Sequence, residues 1–167
     1  WSLNLTFLPD VSYGLRDVDR PVPSQHPSLN VVVHKEGKTA FYLLQQHKED
    51  EWEWDPVRGL WRIGATRICL KGSTKGHARF EATLDCRLPE TGERLTGTVV
   101  VDGPRRKAGD TIRTDSVHLW CPLLTATEGT ADLRWGDQHL QVHGRAYVDR
   151  NESPVGLTEL GIERWWW

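Results

Sequence analysis

The chain has 167 residues and a formal net charge of -2, with a sequence pI near 6.4. This length suits one domain with a sizeable core, and the charge gives no electrostatic basis for binding nucleic acid. The sequence holds no run of about 20 apolar residues, the length that a membrane-spanning helix needs. Its three cysteines lack Cys-x-x-Cys spacing, which favours reduced thiols and a cytoplasmic protein.

The N-terminal quarter of the chain predicts strands around one long loop. Residues 1–8 (WSLNLTFL) alternate apolar and polar side chains, as a half-buried strand does. Residues 10–28 are rich in Pro and Asp and predict a loop long enough to cover a pocket. Residues 28–35 (SLNVVVHK) and 39–46 (TAFYLLQQ) then predict two strands joined by a turn.

The remainder of the chain continues the same period of two. Turn-forming stretches such as KEGK, DPVRG, LKGSTKG, PETGE and WGDQ separate the alternating segments. The clearest of these segments are residues 76–88, 93–103, 115–123, 129–135 and 138–149. No stretch of ten or more residues has a convincing helical period, so the chain is predicted to be an all-β antiparallel sandwich or barrel.

Two pairs of polar and aromatic residues are spaced so that each pair shares one face of a strand. These are His118 with Trp120, and Tyr147 with Asp149. A polar strand face usually meets solvent, and Asp149 also begins an Asp-Arg-Asn stretch that is typical of a turn. In a barrel, however, polar side chains can line an interior cavity.

These residues carry a resemblance to a known family. The His-x-Trp motif at 118–120, the Gly-x-Ala-Tyr-x-Asp-x-Asn motif at 144–151, a nearby Pro and a Trp-rich end resemble the carotenoid 1,2-hydratases (hydroxyneurosporene synthases), which belong to a lipocalin-like superfamily. Residues 26–44 and 60–72 resemble other segments of the family more weakly. The resemblance implies an antiparallel lipocalin-like β-barrel. We expect residues 1–167 to be one such domain, either complete or part of a longer two-barrel chain.

The resemblance also implies which residues act in catalysis. In the family, a His and a Trp on one strand and a Tyr and an Asp on a later strand are tied to catalysis; His118, Trp120, Tyr147 and Asp149 match them. Asp149 is the expected proton donor, because a carboxyl removed from water in an apolar pocket can stay protonated near neutrality. Trp120 and Tyr147 would hold the resulting carbocation against their rings, and His118 would orient or deprotonate a water.

The predicted reaction is hydration of a terminal trisubstituted alkene of an acyclic carotenoid or another isoprenoid. It needs no cofactor or metal, and the sequence contains no nucleotide-binding motif. His139 and His143 are four residues apart on a strand, about 13 Å, which is too far for one zinc ion. We predict that an apolar substrate is bound by Trp135, His143, Arg145 and Trp165.

Two alternatives to a hydratase remain open at this point. A cyclase or pericyclase of a polyene would use the same pocket, and a lipocalin-like carrier would bind an apolar ligand without chemistry. The basic run of Arg105, Arg106 and Lys107 fits a solvated loop, or else a transient contact with a membrane surface.

Overall fold

A computed structural model describes residues 1–8, 27–74, 76–105, 112–113 and 119–152. Within these ranges the chain consists of eleven β-strands and one short 3₁₀ helix, Glu49–Glu51. The predicted all-β class is therefore confirmed. Most of the predicted loop at 10–28 lies outside the described residues, and strand β2 begins at Ser28, where the sequence placed it.

The strands form two antiparallel sheets. The small sheet has the order β1-β2-β3, and the large sheet has the order β11-β10-β8-β7-β6-β5-β4, with β9 paired to β10. Among the described residues, no ladder closes either sheet into a barrel. The strands are β1 Ser2–Leu8, β2 Ser28–Lys35, β3 Lys38–Gln46, β4 Trp52–Asp55, β5 Leu60–Ile63, β6 Thr66–Thr74, β7 His77–Arg87, β8 Arg94–Pro104, β9 Ile112–Arg113, β10 Leu119–Trp135 and β11 Gln138–Glu152.

The two sheets share one apolar core, which we call the inter-sheet core. Leu43 of the small sheet and Leu133 of the large sheet are both fully buried in it. Phe41 and Trp135 meet edge to face, with ring centroids 5.0 Å apart. The buried members of the inter-sheet core are Leu29, Val31, Val33, Phe41, Leu43, Ile63, Ala82, Leu84, Cys86, Leu88, Leu95, Ala131, Leu133, Trp135 and Leu140.

A second apolar group, the Phe80 cluster, lies on the same face of the large sheet. Its members are Trp61, Ile68, Leu70, Ala78, Phe80, Val101, Leu123, Leu124 and Val148. All of them belong to the large sheet, so no strand of the small sheet contributes to this cluster. The stacked rings of Trp54 and Trp61, 4.4 Å apart, extend it towards β4.

The close approach of strands β8 and β10 explains why residue 97 is a glycine. Gly97 in β8 has φ +147 and faces β10 at Leu133. A Cβ at this position would overlap the carbonyl oxygen of Asp132, so only glycine fits between these backbones.

Three sequence predictions about strand limits are wrong. Segments 115–123 and 129–135 were expected as separate strands, but β10 is one strand of 17 residues. Its register with β11 shifts between Pro122 and Leu124 and again between Leu124 and Thr127, and these bulges interrupt the period of two. The separator at 70–76 is largely strand, because β6 runs to Thr74. The expected turn at Asp149 is strand as well, because β11 continues to pair with β10 up to Glu152.

The one helix in the described part of the chain is the short 3₁₀ helix Glu49–Glu51. No helix in this part of the chain combines the length and the apolar character that crossing a membrane requires.

Candidate functional site

Pairing of β10 with β11 brings together two of the residues singled out in the sequence. Trp120 lies opposite Asn151, and Pro122 lies opposite Asp149, so these four side chains share one face of the sheet. The indole Nε1 of Trp120 donates a hydrogen bond of 2.7 Å to Oδ2 of Asp149. Both side chains are half-buried.

A second donor reaches the same carboxylate oxygen. Nδ2 of Asn151 lies 3.2 Å from Oδ2 of Asp149 and donates to it. No hydrogen bond to Oδ1 of Asp149 is found from the described residues. Both of these donors therefore meet the same oxygen of the carboxylate, Oδ2.

The other two expected catalytic residues are Tyr147 and His118. Tyr147 lies two residues before Asp149 on β11, and 44% of its surface is exposed. His118 lies outside the described residues, as does Trp165. Of the four expected catalytic residues, the structure therefore joins Trp120 to Asp149 directly.

The expected substrate-binding residues do not gather around this pair. Trp135 is buried in the inter-sheet core at the other end of β10, about 50 Å along the strand from Trp120. His143 and Arg145 are exposed on β11. The imidazole Nε2 of His143 lies 3.3 Å from a carboxylate oxygen of Glu128, and Arg145 faces the same residue across the strands.

Two cavities lie elsewhere on the molecule. One of about 90 Å³ is lined by Phe41 and Trp135 at the end of the inter-sheet core, and is large enough for only a few waters. The other, of about 400 Å³, lies against β4, β5 and β6. Neither cavity is lined by Trp120, Tyr147 or Asp149.

Asn151 is the contributor to this site that the sequence reasoning missed. A signal for it was present, because Asn151 follows Asp149 by two residues and therefore projects from the same face of a strand. The sequence analysis expected a turn at Asp149, and the alternation of faces applies only within a strand. Because β11 extends to Glu152, Asn151 is a same-face neighbour of Asp149, as Tyr147 is on the other side.

The face of the large sheet opposite the apolar core, which we call the polar face, is organised by charge pairs. Asp132 accepts hydrogen bonds from Gln141 and from the imidazole of His139, each 2.9 Å long, and these lower the pKa of its carboxyl. Asp85 is paired with Arg94 through two contacts of 2.7 and 2.6 Å, and the Arg94 hydrogen bonds lower the pKa of Asp85. Carboxylates on this face are thus mostly matched by a donor across the strands.

Within the described ranges, no three His, Cys, Asp or Glu side chains are grouped closely enough to hold a metal ion. The histidine–carboxylate contacts of the polar face are pairs instead, such as His77 with Asp102 and His143 with Glu128.

Comparison with known proteins does not supply a family. No protein-family profile, no curated protein and no solved structure matches the chain. The resemblance to the carotenoid 1,2-hydratases therefore stays a prediction, and the function has to be argued from the residues.

Proposed function

We propose that the chain is a cofactor-independent hydratase that adds water to a terminal trisubstituted C=C bond of an acyclic carotenoid or a related isoprenoid. The observation that carries this proposal is the 2.7 Å hydrogen bond from Trp120 Nε1 to Asp149 Oδ2. It joins two residues that lie 29 positions apart and that the resemblance ties to catalysis. Both residue types suit a reaction that begins with proton transfer and passes through a cation.

The proposal includes a lipocalin-like barrel as the complete fold. It is supported by the order of the large sheet, in which β4 to β8 are neighbours in sequence and in space, as in an up-and-down barrel. The shared inter-sheet core is a further support, because it already packs the small sheet against the large one.

Asp149 is the proton donor in this proposal. The neutral carboxyl carries its proton on Oδ1, since Oδ2 accepts from Trp120 and Asn151. As the proton moves to the less substituted alkene carbon, the same two hydrogen bonds stabilise the carboxylate that forms. Arrival of an apolar substrate removes water from the carboxyl, which favours its neutral form beforehand.

The remaining steps use the aromatic residues and a water. The tertiary carbocation is stabilised by the ring of Trp120, an interaction worth about 2 kcal/mol or more once water is excluded, with Tyr147 as a second ring. A water attacks the cation and loses a proton through His118, and a proton returns to Asp149. The sum is addition of one water to give a tertiary alcohol.

A second candidate, a carrier that binds an apolar ligand without chemistry, is favoured by a different observation. Val148 packs on the Phe80 cluster, whereas Asp149, the next residue of β11, points to the opposite face of the strand. A ligand on the cluster would then be held by apolar side chains and would not meet the carboxyl. The hydratase instead requires that the substrate's end reaches over β11 to Asp149.

The proposal also requires contact with a membrane surface, because a carotenoid resides in the bilayer. Arg105 is exposed, and its backbone pairs through an isolated β-bridge with Leu124, a member of the Phe80 cluster. Arg106 and Lys107 lie outside the described residues. We expect that changing all three to Ala weakens co-sedimentation with anionic vesicles; equal binding by this variant and the wild type would refute the contact.

The proposed activity is tested by incubating the protein with neurosporene or lycopene in detergent micelles containing oxygen-18 water and no added cofactor. Label in a tertiary alcohol, detected by mass, is the expected result. Bound pigment of unchanged mass and unchanged absorption would favour the carrier. An isomeric product of unchanged mass with an altered chromophore would indicate a cyclase.

A further inference from the structure

A cavity on the polar face is lined mainly by cations, and we call it the basic cavity. It has a volume of about 400 Å³ and lies against β4, β5 and β6, away from the Trp120–Asp149 pair. Among the described residues, the lining contains four cationic side chains and one carboxylate. Its residues are Glu53, Arg58, Leu60, Arg62, Arg67, Cys69 and Lys71.

The carboxylate among these described lining residues, Glu53, is already paired with two arginines. Glu53 accepts from Arg58 Nη2 through Oε1 at 2.7 Å and from Arg62 Nε through Oε2 at 3.1 Å. Arg58 is held further by Asp55 at 2.6 Å. Both oxygens of Glu53 are therefore used, and the two guanidinium groups that they hold are fixed in position beside the cavity.

The other two cations of the lining, Arg67 and Lys71, are exposed to solvent. Neither Arg67 nor Lys71 has an ion pair or a side-chain hydrogen bond among the described residues. Arg67 lies directly opposite Arg62 on the neighbouring strand. Like charges at directly opposed positions destabilise a sheet unless something compensates them.

Two cations again lie directly opposite each other further along β6. Lys71 lies directly opposite Arg79, and Arg79 has its own partner in Asp102, with the Nη1 atom 3.3 Å from a carboxylate oxygen. Because Arg67 and Lys71 are exposed and no described residue pairs with them, both are available to bind an anion that enters the cavity.

We propose that the basic cavity binds a phosphomonoester group. A dianionic phosphate matches the two charges of Arg67 and Lys71, and the guanidinium groups of Arg58 and Arg62 provide further N–H donors beside it. The cavity volume falls within the range of small-molecule sites, about 300–1,000 Å³. Leu60 and Cys69 give a short apolar surface for the part of the ligand next to the phosphate.

The proposal is tested by titrating the intact protein with glycerol phosphate and following backbone amide shifts by NMR. We expect saturable shifts in strands β5 and β6, weakened about tenfold or more in the Arg67→Gln/Lys71→Gln variant. The matched control is Lys38→Gln/Arg134→Gln, which removes one Lys and one Arg charge at positions that do not line the cavity. This control should retain wild-type affinity.

A second arm distinguishes a soluble phosphomonoester from a lipid headgroup. Vesicles that contain phosphatidate present the same group on a membrane, and neutral phosphatidylcholine vesicles give the background. Binding to phosphatidate vesicles alone that is lost in Arg67→Gln/Lys71→Gln assigns the group to a lipid. Absence of saturable binding in both arms, or equal losses in the two double variants, would overturn the proposal, since general charge would then explain the result.

Discussion

The two faces of the large sheet differ in what determines their residues. The apolar face is filled by the inter-sheet core and the Phe80 cluster, whose apolar side chains are wholly or partly removed from water. The polar face holds matched charge pairs, together with the Trp120–Asp149 pair and the basic cavity. Both candidate sites thus lie on the face where packing of the core does not determine which side chains are present.

This difference shows where function can be recognised in the chain. On the apolar face, a residue such as Leu133 is explained fully by the area that it buries. On the polar face, the stability of the fold constrains a side chain less, because the side chain needs only to be soluble and to have its charge matched. Arg67, which is placed opposite Arg62 without a counter-charge, is therefore informative.

Truncation of the inter-sheet core should have the largest effect on stability. We expect Leu133→Ala to lower the free energy of unfolding by about 2–5 kcal/mol, because Leu133 is fully buried and its removal leaves a cavity. Val57→Ala is the control, since Val57 is 94% exposed. Urea unfolding followed by tryptophan fluorescence measures both. Similar losses in the two variants would mean that the sheets do not pack as described.

The reactivity of two cysteines, one on each face of the large sheet, tests the burial of the two faces without a mutation. Burial raises the pKa of the Cys86 thiol to about 11, so at about pH 8 roughly one Cys86 in a thousand is a thiolate. Cys69 lines the basic cavity and is only half-buried. Iodoacetamide followed by peptide mass analysis should therefore modify Cys69 long before Cys86. Faster modification of Cys86 would contradict the burial of its strand face.

Removal of the indole donor should have a moderate effect. Trp120→Phe retains an aromatic ring but loses the hydrogen bond to Asp149, and we expect it to cost about 1–2 kcal/mol. A double-mutant cycle with Asp149→Ala isolates the contact, with an expected coupling near 1 kcal/mol. Strictly additive changes in unfolding free energy would show that the two side chains do not interact.

The exposed charge pairs should have the smallest effect. Arg94 lowers the pKa of Asp85, so the pair stabilises the fold above the unfolded pKa of Asp85 and loses this effect as the pH falls through the folded pKa. Arg94→Gln should raise the pKa of Asp85 and destabilise slightly at about pH 7 but not at about pH 2. Carbon-13 NMR titration of the Asp85 carboxyl and urea unfolding at both pH values test this. An unchanged titration of Asp85 would contradict the pairing.

The all-β class and the limits of many strands could be predicted from the sequence, because these strands bury one face. Alternation placed β1, β2, β3, β7, β8 and the beginning of β11 within one or two residues. Strand β10 was divided in two because its bulges at Pro122–Leu124 and Leu124–Thr127 add residues that break the alternation. How the two sheets pack together is set by tertiary contacts such as Phe41 with Trp135, which no local pattern contains.

The candidate site was predictable only in part. Alternation put His118 with Trp120 and Tyr147 with Asp149, but contact between the pairs depends on the register of strands that are paired 29 residues apart. The basic cavity was not foreseen for the same reason, since Arg62 and Arg67 meet only through the pairing of β5 with β6.

The most direct test of the proposed chemistry is hydration of lycopene by Asp149→Asn beside the wild type and Asp137→Asn. Asp137 is an exposed residue in the turn between β10 and β11, so the control makes the same change of charge away from the Trp120 hydrogen bond. The account predicts that oxygen-18 incorporation falls by about 100-fold or more in Asp149→Asn, because the proton donor is lost, and stays at the wild-type level in Asp137→Asn. Wild-type incorporation by Asp149→Asn would contradict it.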